Sequence, residues 1–384
     1  MTNISIIILI FIFFGLFYHI TSYLIFKHEF GKPNNASNNT RADYPFISIL
    51  KPVKGLDDQL GKNLKSFFEL DYPHYEIIFG VQSSNDPAIA IINNIINCYP
   101  GIKSRLVVND NKIGLNPKIN NLYNMLPYAK GEVLLISDSN TRVEANFLKI
   151  MIKEMNNPKV GLVTATIRGK GATNTISLME NMHLGSFLAT NVFAVAKLSG
   201  IKIVVGKAIL IPKSVLEKVG GFKTFKDYLA EDHFMGVKVK ELGYEIKNSR
   251  VFVDNINEKL GIDKFLNRHT RWAKIRYQIR KSTYLLEILS NPIFNSFVLA
   301  VLLHNNSGIL QFILVSSFKS LIDYLSLRIM QTDIKIYQLP IIPMKDLILG
   351  FLWFVPFMNS TVNWRNNYFK IQKNTLLEPI LLKM

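Results

Sequence analysis

The sequence predicts an α/β domain with a mostly parallel central sheet, flanked by N- and C-terminal transmembrane helices. Three observations predict it. Residues 1–26 contain no Asp, Glu, Lys or Arg. From residue 46 strand-like and helix-like stretches alternate, the order that builds a parallel sheet with helices on both faces. The C-terminal third returns to long apolar runs. Composition agrees. The 384 residues are 48% hydrophobic and 19% charged, too apolar for a disordered chain. One cysteine, Cys98, excludes a disulfide scaffold and any cysteine-based zinc or iron–sulfur centre. A net charge of +17 beside a mean hydropathy of +0.17 suits a membrane protein with a basic cytoplasmic face. A basic nucleic-acid binder is the alternative on composition.

Ile4–Phe26 is nearly continuous Ile, Leu and Phe, about the ~20 residues a bilayer demands. A signal peptide needs a basic start and a small-residue exit, and this segment has neither. An uncleaved anchor over residues 1–26 is therefore expected. Lys27, Lys32 and Arg41 follow it, which places the next domain in the cytoplasm. Residues 27–45 read as a polar linker. Its Asn35 and Asn38 sit in Asn-x-Ser/Thr triplets, acceptors only if the domain faced a lumen.

Phe46–Lys51 reads as a buried strand and Asp57–Glu69 as a helix. Tyr75–Val81 is a strand, and Pro87–Asn97 a helix opened by proline. Arg105–Val108 is a short strand, and Pro117–Leu126 a helix capped by Asn116. Glu132–Ser137 is a strand, Glu144–Met155 a helix, Val160–Thr164 a strand. The domain is expected over 46–262, an interfacial basic helix over 263–291, membrane-embedded segments over 292–363 and a tail over 364–384. Ile293–His304, Ile309–Leu327 and Leu347–Met358 are the cores of the later membrane segments, with Asn305-Asn306-Ser307 a tight turn. The basic stretch Arg328–Lys345 should lie inside. A full fourth span would leave Arg365, Lys370 and Lys373 outside, so three or four spans are expected.

Ligands on such sheets bind beyond the carboxyl ends of the strands. Two carboxylates fall there: Asp86, after Tyr75–Val81, and Asp138, after Glu132–Ser137. Asp232 stands in Ala230-Glu231-Asp232-His233-Phe234, before an expected helix. Singly, such residues are ordinary turn formers and helix caps; their order makes the set stronger. Arg268-His269-Thr270-Arg271-Trp272 comes just before the C-terminal membrane region. If residues 264–281 are helical, Trp272, Ile275 and Ile279 share one face while Arg271, Lys274 and Lys281 share another. That suits an interfacial helix with a basic side for phosphates; a stop-transfer flank is the plainer reading.

With these motifs in view the chain resembles a GT-A fold glycosyltransferase of the family 2 type, and within that the ceramide glucosyltransferase family, family 21. The pattern is carried by Asn85-Asp86-Pro87-Ala88, Ser137-Asp138-Ser139, Glu231-Asp232-His233-Phe234 and Arg268-x-x-Arg271-Trp272, in that order. Leu50-Lys51-Pro52-Val53-Lys54-Gly55, Gly114–Leu122 and Gly206-Lys207-Ala208 also match. The resemblance spans about residues 4–380.

It implies a UDP-sugar donor, UDP-glucose first, and a membrane lipid acceptor such as ceramide. Asp86 would contact the uridine part. Asp138 would hold Mg²⁺ or Mn²⁺ with the diphosphate, since such ions take carboxylate, water and phosphate oxygens together. Asn140 stands where a strict Asp-x-Asp has its second carboxylate, so the protein's own hold on the ion is weaker. Asp232 would be the general base of an inverting displacement. Arg268 and Arg271 would pair with the diphosphate. Trp272 packs on the donor or lipid entrance, or anchors at the interface. Lys118 is near phosphate, or is a helix surface charge. His183 orients an acceptor hydroxyl, or is a structural histidine. The protein is expected to be an integral, multi-pass membrane enzyme that binds no nucleic acid, its positive charge lying near membrane boundaries where anionic headgroups explain it. An N-acetylglucosamine transferase acting on a hopanoid keeps the same fold and is the nearest rival. A processive polysaccharide synthase and a non-catalytic membrane scaffold fit less well.

Overall fold

The structure, a computed structural model, describes residues 3–32, 44–364 and 367–380. Asn35, Asn38, Arg41 and Arg365 lie outside the described residues. The chain divides into two compact units. One comprises 33–170 and 199–257, the other 1–32, 171–198 and 258–384.

The first unit is built on eight strands: β1 Ile47–Pro52, β2 Tyr75–Val81, β3 Ser104–Val108, β4 Val133–Ser137, β5 Thr141–Arg142, β6 Val160–Lys170, β7 Ala208–Pro212 and β8 Glu245–Ile256. Their order in the sheet is β3-β2-β1-β4-β7-β6-β8-β5. The first four are mutually parallel, and β6 and β8 are parallel to each other. β7 and β5 run against their neighbours. The sheet is thus mixed, with parallel pairs in the majority.

Every residue of β2 and β4 is buried, as expected for strands covered on both faces. Leu50, Ile78, Leu134, Ile136, Ile209 and Ile211 join Ile119, Leu122 and Met125 of the Pro117–Met125 helix in one core. β6 continues six residues past the expected end at Thr164. The polar residues that obscured it are satisfied internally: Arg168, 2% exposed, donates to the Asp254 carboxylate on β8 and lies over the Phe252 ring.

The direction of β7 matters most. β1, β2 and β4 end at the same edge of the sheet. Because β7 is antiparallel to β4, with Ser137 opposite Ala208, it begins at that edge. The residue before it, Lys207, therefore stands beside the residue after β4, Asp138.

Among the described residues the second unit contains three helices long and apolar enough to cross a bilayer: Asn3–Gly31, Asn306–Ile329 and Ile336–Met358. The first extends past the expected limit at Phe26. Lys281–Ser290 and Pro292–Leu303 form a pair bent by 66°, which makes a fourth passage if taken as one span. Pro292–Leu303 has 12 residues, about 18 Å of helix, too short to cross alone. The turn after it is as expected: Asn305 caps the next helix by accepting from the Gly308 N–H at 2.9 Å.

Two basic residues of this unit are buried in ion pairs. Lys345 is 0% exposed and pairs with Asp346. Lys319, within Asn306–Ile329, is equally enclosed and meets Asp323 and Asp346 at 2.6 Å each. The 364–384 segment contributes strands Asn367–Ile371 and Leu377–Pro379, which with Thr361–Trp364 form an antiparallel sheet.

Candidate active site

Asp138 is the centre of the site. Its Oδ1 is 2.9 Å from Lys118 Nζ and its Oδ2 2.9 Å from Lys207 Nζ. Burial alone would raise the Asp138 carboxyl, but the two ammonium groups reverse this and hold it well below the usual carboxylate range. Lys51 fixes the same loop from below. It is 0% exposed, and its Nζ donates to the Asp138 carbonyl at 2.6 Å and Thr141 Oγ1 at 3.1 Å, with the Phe67 ring centre 3.7 Å away. Burial lowers the Lys51 ammonium well below its ordinary value.

Lys118 reaches this point because its helix is anchored by amides. Asn116 caps it, accepting from the Ile119 N–H at 3.0 Å. Asn120, Asn121 and Asn124 are all buried and bond backbone groups of Gly114, Gly80 and Asn109. Lys118 then meets Asp138, Glu231 Oε1 at 3.1 Å and the Gly206 carbonyl at 3.1 Å. Burial disfavours its charge; the carboxylates of Asp138, Glu231 and Asp232 outweigh that and raise its pKa above the ordinary lysine value. The surface-charge reading of Lys118 is excluded.

Asp232 opens the Glu231–Glu241 helix. Its Oδ2 accepts from the Gly206 N–H and its Oδ1 from the His233 N–H, both at 2.8 Å. Burial raises its pKa and that of Glu231, against the opposing pull of Lys118. One peptide segment thus serves both halves of the site. Gly206 holds Asp232 through its N–H and Lys118 through its carbonyl, and Lys207 follows directly. A Cβ on Gly206 would lie 2.7 Å from Asp232 Oδ2. Gly206→Ala is therefore expected to displace the Asp232 carboxylate and lower turnover about 10²-fold while the protein folds; steady-state kinetics and a thermal melt check both halves.

Asp86 shares this sheet edge, but its oxygens already have partners. They accept from the Gly55 N–H at 3.1 and 3.0 Å, and Oδ1 also from the Ala88 N–H at 2.9 Å. Asp86 therefore ties the loop after β2 to the loop after β1, whatever else it touches. Asn140 accepts from Lys207 Nζ at 3.0 Å and donates to Asn255 at 3.1 Å. Sequence reasoning passed over Lys207, Lys51 and Glu231 as site residues.

Arg268, Arg271 and Trp272 belong to the second unit, on the helix Ile262–Ile279. Phe265, His269 and Ala273 recur every four residues as its buried stripe. Arg268 Nη1 donates to Glu180 Oε1 at 2.6 Å, and His269 Nε2 lies 2.8 Å from Glu180 Oε2. Glu180 is 0% exposed; burial would raise its carboxyl, yet Arg268 and His269 hold it below the ordinary range. The Trp272 ring stands 5.2 Å from that of His269 and 6.1 Å from that of His183. Lys274 corrects the expected basic face. It is buried, donating to Asn359 Oδ1 and the Thr361 carbonyl at 2.5 and 2.6 Å, and so braces the C-terminal sheet.

Among the described residues no three His, Cys, Asp or Glu side chains gather as a metal site. Asp138, flanked by two lysines and by Asn140, suits a hard divalent ion only if phosphate oxygens complete its shell.

The Glycosyl transferase family 21 model matches residues 7–377. Ceramide glucosyltransferase 3 of Caenorhabditis elegans is 28% identical over 336 residues, 85% of this chain and 73% of the worm protein. The ceramide glucosyltransferase of Komagataella phaffii is 36% identical over 114 residues, 29% of this chain and 22% of its own. A mannosyltransferase from Pyrobaculum calidifontis, solved with GDP-Man and Mn²⁺, superposes with a TM-score of 0.54 at 14% identity. The match covers 91% of this chain and 98% of that one, and shows the shared GT-A fold.

Proposed function

The chain belongs to glycosyltransferase family 21, and from that premise we propose that it moves glucose from UDP-glucose to a hydroxyl of ceramide, with inversion at the anomeric carbon. The acceptor and the sugar rest on the worm relative, which this chain matches over most of both lengths. The observation that carries the chemistry is the Lys118–Asp138–Lys207 cluster beside Asp232.

Lys118 and Lys207 supply two positive charges to the donor diphosphate at the carboxyl edge of the sheet. Both are held on Asp138 until the phosphate oxygens arrive. Asp138 would hold Mg²⁺ or Mn²⁺ together with the diphosphate, and the ion would neutralise charge on the UDP leaving group. Asp86, through the Gly55 loop, shapes the uridine end. Asp232 takes the proton of the attacking hydroxyl. Two backbone N–H bonds fix its carboxylate, and the pKa raised by burial makes it a better base than a solvated aspartate. Arg271 and Trp272 are assigned to the donor and lipid entrance; Arg268 acts there while braced by Glu180. The catalytic unit faces the cytoplasm, on the strength of Lys27 and Lys32 after the first helix.

The test is lipid transfer by membranes containing the chain, with labelled UDP-glucose or UDP-N-acetylglucosamine and with ceramide or a hopanoid, with and without EDTA. An EDTA-sensitive product from UDP-glucose and ceramide supports the reading. Label only from UDP-N-acetylglucosamine on the hopanoid overturns both donor and acceptor. Asp138→Asn is expected to weaken UDP binding at saturating Mn²⁺ by about tenfold, the effect of losing one charged ligand. Equilibrium dialysis of labelled UDP reads it directly, and undiminished metal-dependent binding would remove Asp138 from the ion.

A further inference from the structure

A second site lies wholly within the membrane unit. A cavity of about 80 Å³ opens among residues drawn from helices far apart in sequence, including His19, His183, His269, Arg276, Asp346 and Trp353. Polar groups are expensive between apolar spans, so a polar cavity there signals a ligand or an ion path. Its charges argue against an ion. Arg276 is paired with Glu287 at 2.9 Å. Lys319, also on the wall, is paired with Asp323 and Asp346, and Asp346 takes Lys345 as well. Burial lowers the pKa of His183 and of His269, disfavouring their charged forms. The wall therefore has no net charge to offer a phosphate or an amine.

It does have an unsatisfied hydrogen-bonding atom. His183 is 7% exposed, and its Nδ1 is buried with no partner among the described residues. An orphaned ring nitrogen of this kind is costly and rarely left without a reason. His183 begins a π-helical stretch, residues 183–188, a local widening that recurs at functional sites. Phe187 stacks on its ring at 5.2 Å, and Tyr284 and Trp353 add aromatic wall. Such a lining offers apolar faces and one neutral polar contact.

We propose that this cavity binds the polar end of an uncharged lipid bearing hydroxyl and amide groups, with His183 Nδ1 as its hydrogen-bond partner. Resting on the reading above, that lipid is the acceptor. A phospholipid is refused because every cation on the wall already has its carboxylate. A free amine is refused because every carboxylate has its cation.

The full chain in detergent is labelled with a photoreactive, clickable ceramide, and labelled peptides are mapped. Label is expected on the segments carrying His183, Arg276 and Trp353, and is expected to be displaced by plain ceramide but not by phosphatidylcholine or sphingosine. His183→Phe should lower labelling and raise the acceptor KM about tenfold while UDP binding is unchanged. His183→Asn, which retains a hydrogen-bonding group, should recover most of the loss and guards against a folding defect in the first variant. Equal displacement by phosphatidylcholine, or undiminished labelling of His183→Phe, would overturn the proposal. Specific labelling without transfer of glucose to ceramide would support the cavity and sink the acceptor reading instead.

Discussion

Asp232→Asn is expected to lower glycosyl transfer by about 10³-fold, within the range typical for loss of a general base, while UDP still binds. The substitution preserves shape. The amide oxygen can still accept from the Gly206 or His233 N–H, so the helix start and the 206–207 segment stay in place. What is lost is the capacity to take a proton. The pH profile adds an independent check. Burial raises the pKa of Asp232 above the ordinary aspartate value. The base works only when ionised, so kcat/KM should fall as pH drops through that raised pKa. The acid limb should thus lie above that of a solvated aspartate. The limb should be absent from whatever residual activity Asp232→Asn retains. Near-normal turnover by this variant in purified membranes would remove Asp232 from the base position.

Lys118→Met is expected to cost about 3 kcal/mol of stability and most UDP affinity, because removing one partner of a buried ion pair strands the other. Here it strands several. Asp138 would keep Lys207, but Glu231 would lose its ammonium and face Asp232 with both carboxyls already disfavoured by burial. An exposed helix lysine would cost no more than about 0.5 kcal/mol. Thermal unfolding in detergent therefore separates the two roles. Lys118→Arg should recover stability better than affinity, since a guanidinium restores charge but not the three-way geometry. A Lys118→Met protein that melts and binds UDP like the parent would refute the assignment.

Most of the parallel half of the sheet was legible because its strands are short apolar runs between Pro, Gly and Asn. The edge positions of Asp86 and Asp138 were legible for a related reason, since a carboxylate in the loop after such a run lies on the ligand edge. Lys207 was not legible. It precedes its strand, and only the reversed direction of β7 brings it to that edge, a pairing no local pattern encodes. Lys51 was hidden by the opposite effect: a lysine within a buried strand reads as an interruption until its partners across the sheet are known. The long β6 was cut short at Thr164 because Arg168 looks like an exposed residue, and its partner Asp254 is far along the chain. Lys274 was misjudged, since a basic residue near a span resembles a headgroup contact unless its amide and carbonyl partners are in view.

The Lys319–Asp346 pair has a consequence for how the protein is made. Lys319 lies midway along one candidate span and Asp346 midway along the next, 2.6 Å apart. Presented singly to the translocon, a central Lys or Asp adds about 2.5–3.5 kcal/mol to the cost of entering lipid. Within Asn306–Ile329, Asp323 already matches the charge of Lys319, as Lys345 matches Asp346 on the next helix; what the second helix adds is the Asp346 oxygen that completes the partners of the Lys319 ammonium. The two helices should therefore leave the translocon as a hairpin, and ribosome-bound chains truncated before residue 346 should be retained there longer than chains extending past it.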